Sequence, residues 1–288
     1  MKRYFLTLAA LLAFNCLFAQ ELPARWDELV ASDFPAALQK SSKTCILPIG
    51  ILEKHGLHSP LGTDLIHVRE WAARAVKSEY AVVFPDYFYG QINEARHQPG
   101  TFSLPNKLIL ELLEATCDEI ARNGFDKIII LNGHGGNPEF LEFFMQGLLN
   151  KRHNYAVYLY RPESDPEFVK AYQKNHVTDV TADLHGGESE TSLLLHYRPD
   201  LMRMSRASGE SGINQQRSRL PGLYTPIWWY SSYPNHYAGD ASKSGAELGK
   251  LISDHEIAQF IKALKAVKAD TKTIELQNEF FDRVDQLK

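Results

Sequence analysis

Apolar residues in this chain fall into short continuous runs separated by amphipathic stretches. Thr44 to Ile49 (Thr-Cys-Ile-Leu-Pro-Ile) predicts a strand, Asp64 to Lys77 a helix and Ala81 to Phe84 a second strand. Asn106 to Arg122 carries its apolar positions at helical spacing. Lys127 to Leu131 is β-branched and apolar on consecutive positions, as a strand covered on both faces requires. Asn137-Pro138 predicts a helix start, with Asn137 as cap and a first-turn proline. Tyr155 to Tyr160 predicts another strand, Ser189 to Tyr197 a helix, and Ala246 to Lys268 a long closing helix. Alternation of this kind predicts an α/β fold with helices on both faces of a largely parallel sheet. Ser205 to Ser244 breaks the rhythm. It is rich in Gly, Pro, Ser, Arg and aromatics, and a segment of that length inside a compact domain is usually functional or oligomeric.

The first residues read differently. Met1-Lys2-Arg3 is basic, Tyr4 to Phe18 is mostly apolar, and Ala19-Gln20-Glu21 offers a small residue at a cleavage point. That layout predicts a signal peptide over residues 1–19, export to the periplasm or the medium, and a single domain over 20–288. The apolar run is short for a membrane span and no later segment approaches that length, so the mature chain is expected to lack one. An uncleaved anchor is the alternative, and Cys16 sits in a poor context for lipid attachment. Net charge is −4 with both signs interspersed, which argues against a nucleic-acid partner. Cys45, in an apolar strand, and Cys117, in an amphipathic helix, read as small core residues.

The candidate chemistry lies in loops that follow the strands, where α/β proteins usually keep it. After the first strand comes Glu53-Lys54-His55-Gly56-Leu57-His58-Ser59-Pro60-Leu61-Gly62-Thr63-Asp64. Carboxylates and imidazoles are ligands of divalent metals. Glu53 and His55, two apart, leave an extended backbone on the same side. Asp64 is a candidate to bridge two ions, or a residue that only caps the next helix. After Lys127 to Leu131 comes Asn132-Gly133-His134-Gly135-Gly136-Asn137, in which glycines let backbone approach a ligand. A phosphate-binding turn is the alternative there, although no Walker-type lysine accompanies it. A third loop, His185-Gly186-Gly187-Glu188-Ser189-Glu190, offers Glu190 as a ligand and His185 as a proton carrier, since imidazole titrates near neutral pH. Acidic residues there can also be dipole complements of a first helical turn. His97 lines a pocket or caps the helix beginning near Pro105. His58 reads as structural.

These loops, in this order, resemble the creatininase (creatinine amidohydrolase) family. The pieces are Pro-Ile-Gly, Glu-x-His-Gly-x-His and Gly-Thr-Asp in the first loop, then His97 with Pro-Gly-Thr, Asn-Gly-His-Gly-Gly-Asn and His-Gly-Gly-Glu-x-Glu-Thr-Ser. The likeness runs from Ile46 to about Leu195, with an echo at Gly239-Asp240-Ala241-Ser242. It implies a three-layer α/β/α sandwich, two divalent metal ions per chain (zinc, manganese or iron), amide- or ring-opening hydrolysis and a homohexamer. It implies that Glu53 and His134 bind one ion, His55 and Glu190 the other, that Asp64 bridges them, and that His185 handles protons. Creatininase proper has an aromatic and an acidic residue where this chain has Gly135 and Gly136. It also has a tryptophan where this chain has Val180 to Asp183. Those differences point away from creatinine toward another small-molecule substrate. His97, Gly135, Gly136, Trp228 and Trp229 are the substrate-binding candidates, and Trp228 to Tyr230 can alternatively serve a subunit interface. The expected activity is hydrolysis of a non-peptide C–N bond, such as that of a cyclic amide, by a metal-activated water. The alternatives are a peptidase on short or modified peptides and a non-catalytic periplasmic binding protein.

Overall fold

The computed structural model describes residues 21–218 and 220–287; the expected signal peptide, 1–19, lies outside them. Four parallel strands, β1 (Thr44–Ile49), β2 (Val82–Val83), β3 (Lys127–Asn132) and β4 (Ala156–Leu159), line up in the order β2-β1-β3-β4. Nine α-helices are described: α1 (Phe34–Lys40), α2 (Thr63–Ala75), α3 (Asn106–Arg122), α4 (Pro138–Gly147), α5 (Pro166–Asn175), α6 (Glu188–Tyr197), α7 (Trp228–Ser232), α8 (Ala246–Ala269) and α9 (Lys272–Asp285).

Alternation along the strands builds the layers. Cys45, Leu47 and Ile49 of β1 join Ile128 and Ile130 of β3 on one face, against Leu113, Cys117 and Ile120 of α3 and Leu141 and Phe144 of α4. Ile46, Ile129 and Leu131 take the other face, against Val68, Trp71 and Ala72 of α2 and Phe260 and Leu264 of α8. The result is the expected α/β/α sandwich. Burying one Ile or Leu is worth about 1.5–3 kcal/mol. The central strands bury all of theirs, so the apolar runs locate these elements to within two residues. Cys45 and Cys117 are buried and unpaired in the first of these layers, and burial raises both thiols.

Pro48 sits in a central strand, where a proline usually costs a ladder bond. Here it does not. Phe84 donates to Ile46 and Gly50 donates to Tyr87, so even-numbered residues of β1 face β2, and β2 has ended by the level of Pro48. Ile49 lies level with Asn132, so β1 and β3 deliver their loops to one rim. Gly50 is required there, because a Cβ on it would come within 2.4 Å of Leu65 Cα. That close approach seats the head of α2, and Asp64 with it, against the first loop.

Four helices carry no prediction: α1, α5, α7 and α9. Ala246 to Lys268 is not the closing helix, since α9 follows α8. The restart is at Asp270, whose carboxylate accepts from the backbone of Lys272 at 2.8 Å and Thr273 at 3.3 Å and from the Tyr158 hydroxyl at 2.9 Å. No helix among the described residues is long and apolar enough to cross a membrane.

Candidate metal centre

Three loops meet at the rim where β1 and β3 end. The first is closed by a hydrogen bond from Glu53 N to Leu61 O, 2.9 Å. The second follows β3, with Gly133 N on Ile49 O at 2.8 Å. The third is stitched to the later segment by paired hydrogen bonds between His185 and Ala238, 2.9 Å each way. Together they bring Glu53, His55, Asp64, His134, His185 and Glu190 to one place, in overlapping groups able to hold a cation.

Asp64 is central. Its Oδ1 lies 3.0 Å from His55 Nε2 and its Oδ2 lies 2.9 Å from His134 Nδ1. The N-cap position of α2 is held by Gly62, so Asp64 is not the capping residue. His134 Nδ1 is also 2.9 Å from Glu53 Oε1, and His55 Nε2 is 3.6 Å from Glu190 Oε2 and 3.8 Å from Glu53 Oε1. Glu53, His55 and Asp64 are at most 3% exposed. Glu190 keeps a third of its side chain open, and its Oε2 accepts from Gly186 N at 2.6 Å.

The polarity of these contacts is the telling feature. His134 Nε2 donates to the Gln91 carbonyl at 3.0 Å, and His55 Nδ1 faces the Glu53 carbonyl at 3.4 Å. In the neutral rings the other nitrogen of each is therefore a lone pair. Both lone pairs point at carboxylates. Glu53 Oε1, His55 Nε2 and Asp64 Oδ2 are buried and make no hydrogen bond. Acceptors crowded together without donors require positive charge among them. The donor set, imidazole nitrogen and carboxylate oxygen, fits zinc, manganese or iron. Without an ion, protons answer the same need. Burial opposes a charge on His55, but Asp64 and Glu190 outweigh it and hold the ring at about 10. Burial likewise opposes a charge on His134, and Glu53 and Asp64 raise it well above the usual range.

The His185 ring lies tilted at 4.3 Å from the His55 ring and edge-on at 4.5 Å from that of His236, and its Nε2 donates to Lys54 O at 2.8 Å. Burial keeps it neutral, down at about 3, with Glu53 pulling the other way. His58 is turned aside to the Thr191 hydroxyl, 2.8 Å away. Asn137 heads α4 but does not cap it with its side chain, contrary to expectation. Its Oδ1 accepts from Gln91 N at 2.9 Å and its Nδ2 donates to Asn132 at 3.0 Å, which ties the second loop to the segment carrying His97.

An open groove of about 1180 Å³ runs beside this centre, lined by His97, Gly135, Gly136, Phe140, Trp228 and Tyr230 among others. A Cβ on Gly136 would sit 2.5 Å from His134 Nε2, so only glycine fits there. His97 hydrogen-bonds Pro234 O at 2.9 Å. Trp229 points the other way, inward, its indole Nε1–H on His236 Nδ1 at 2.8 Å. His236 is the site residue that sequence reasoning missed. It contacts Glu53 directly, and its only signal was its place shortly before Gly239-Asp240.

Fold and site together describe an α/β/α sandwich with a candidate metal centre at one rim of its sheet. The sequence model of the creatininase family, described as creatinine amidohydrolase, matches residues 27–264, and the chain belongs to that family. It is 36% identical over 163 residues to the mycofactocin precursor peptide peptidase of Mycolicibacterium smegmatis, a match covering 54% of this chain and 58% of that protein. It is 25% identical over 192 residues to the creatinine amidohydrolase of Pseudomonas putida, covering 62% and 74%. A solved creatininase structure superposes with a TM-score of 0.71 at 23% identity, covering 86% of this chain and 99% of that one. A zinc–zinc variant form and a manganese form of creatininase each give 0.70 at 22% identity, with the same coverage.

Proposed function

We propose that this chain is an exported amidohydrolase that uses two divalent ions to cleave a C–N bond. The observation that carries the reading is Asp64, whose two oxygens face two histidine nitrogens belonging to different loops, Oδ1 to His55 and Oδ2 to His134. Glu53 and His134 would hold one ion, His55 and Glu190 the other, with Asp64 shared between them. Ions held there would supply Lewis acidity toward a carbonyl oxygen and activate water. The chain's own groups do the rest. His185, kept neutral by burial and with Nε2–H committed to Lys54 O, has its Nδ1 lone pair to accept a proton and return it to a leaving nitrogen. Gly135 and Gly136 leave the groove floor as bare backbone for an amide to lie against. The basic start and apolar run of the first residues support export. Family resemblance supports a hexamer, and the exposure of Tyr224 (81%) and Ile227 (55%) is in keeping with self-association.

Within that class the groove favours an extended amide, a short or modified peptide, over a compact cyclic one. Its volume exceeds the roughly 300–1,000 Å³ that encloses a drug-sized ligand. The resemblance to a precursor-peptide peptidase points the same way. Turnover of metal-loaded protein should be assayed on dipeptides, short peptides, formamides, lactones and cyclic amides. Metal-dependent release of amine from peptides is expected. Faster turnover of cyclic amides would return the substrate to the small-molecule class. No metal-dependent turnover on any member would replace the enzyme with a binding protein.

A further inference from the structure

His236 is 2% exposed and adopts φ +53°, a left-handed conformation that a residue other than glycine rarely takes. Such backbone persists only where the surroundings enforce it. Here His236 N donates to Tyr233 O at 2.9 Å, Lys54 Nζ donates to Asn235 O at 2.8 Å, and the His185–Ala238 pair closes the far side. The ring they hold has both nitrogens engaged. Indole can only donate, so the Trp229 N–H at 2.8 Å makes His236 Nδ1 an acceptor. The proton of the neutral ring is then on Nε2, where it meets Glu53 Oε2.

Glu53 is thereby divided. One oxygen is committed to His236. The other, Oε1, makes no hydrogen bond and faces His134 Nδ1 at 2.9 Å. With Oε2 released, the carboxylate could turn toward His185 Nε2, 3.8 Å away, or offer both oxygens to one ion. We propose that Trp229 and His236 form a positioning chain that presents Glu53 to the metal centre through Oε1 alone. The proposal rests on the metal-centre reading above. It also assigns the inward-facing tryptophan of α7 a task that contact with substrate would not require.

The test uses the full exported chain with H236A, H236Q and W229F, each checked for folding by circular dichroism. Zinc and manganese affinities are measured by chelator competition, and the Co2+-loaded forms by visible absorption. H236A should weaken one of the two ions by on the order of 10–100-fold, as loss of outer-shell support does, and leave the other within a few-fold. Its Co2+ spectrum should change. H236Q, which returns an N–H to Glu53, should recover most of the affinity and the spectrum, and W229F should weaken the same ion less than H236A. Two ions held by H236A with unchanged affinity and spectrum would reduce the chain to core packing. A wild-type chain that binds no ion would instead overturn the metal-centre reading, and this chain with it. If H236A does not fold, H236Q and W229F carry the test, and W229F with wild-type affinity and spectrum overturns the proposal.

Discussion

Two buried acid–histidine clusters of this protein both draw on the stretch from Asp183 to Glu190, and they are built on opposite principles. In the first, Glu53, His55, Asp64 and His134 turn acceptors toward one another, and three of those atoms have no hydrogen-bond partner. In the second, His176 donates from both nitrogens, to Asp183 at 2.8 Å and to the Thr178 carbonyl at 3.0 Å. Asp183 also accepts from Ser189 N at 2.9 Å, and Glu188 accepts from Val177 N at 2.9 Å and Thr178 N at 2.7 Å. The second cluster is satisfied by protein alone, whereas the first calls for something else. Composition does not separate them, since both are carboxylates around imidazole. Orientation of donors and acceptors does. The satisfied cluster fixes the loop that presents His185 and Glu190; the unsatisfied one is the candidate centre.

The sharpest way to break that contrast is D64A. It should remove tight binding of both ions, a loss larger than the about 100-fold that outer-shell changes cause, read by metal analysis after dialysis. Two ions retained per chain would end the bridging role. Next in size is a pair of stability measurements on metal-free protein. H176A strands Asp183 and Glu188 without their cation and should cost about 3–5 kcal/mol, read from denaturant unfolding. D64N takes one carboxylate away from the two histidines whose protons offset it, while keeping an oxygen beside them, and should lower metal-free stability at neutral pH by less than H176A does. The reverse ranking would mean that the two clusters had been told apart wrongly.

The smallest expected effect is in pH. His55 is raised from its ordinary 6.5 to about 10, and His134 is raised as well. Their contribution to metal-free stability is therefore complete below pH 6.5 and fades as pH climbs through 10. An ion must displace those protons. Metal affinity should rise steadily between pH 6.5 and 9, with protons released on binding, as titration in buffers of different ionisation enthalpy would register. Affinity flat across that range would mean that the two rings do not face the ion.

Much of this was legible in the sequence because it is local. Glu53, His55 and Asp64 fall within twelve residues, His134 sits in a glycine-marked loop after β3, and Glu190 lies in the first turn of α6, just past Gly186-Gly187. The strands announced themselves by unbroken apolarity. His236 and His176 did not, for a physical reason. Each is a lone histidine in irregular chain, and its partners, Glu53 and Asp183, are supplied by folding rather than by spacing. The helix α5 did carry a signal, Asp165 before Pro166, with Asp165 accepting from Glu167 N and Phe168 N. The helix α9 was hidden because α8 was read as the end of the fold. The direction of Trp229 could not be read at all, since a run of aromatics says nothing of which one faces inward.

The paired hydrogen bonds between His185 and Ala238 have a thermodynamic consequence. They join the segment that walls the groove to the loop that leads into α6 and Glu190, so the two cannot shift independently. Occupancy of the groove and occupancy of the centre are then linked equilibria. Whatever factor an ion adds to the affinity for a ligand in the groove, the ligand must add to the affinity for the ion. A groove ligand that is never turned over would therefore still report on the metal.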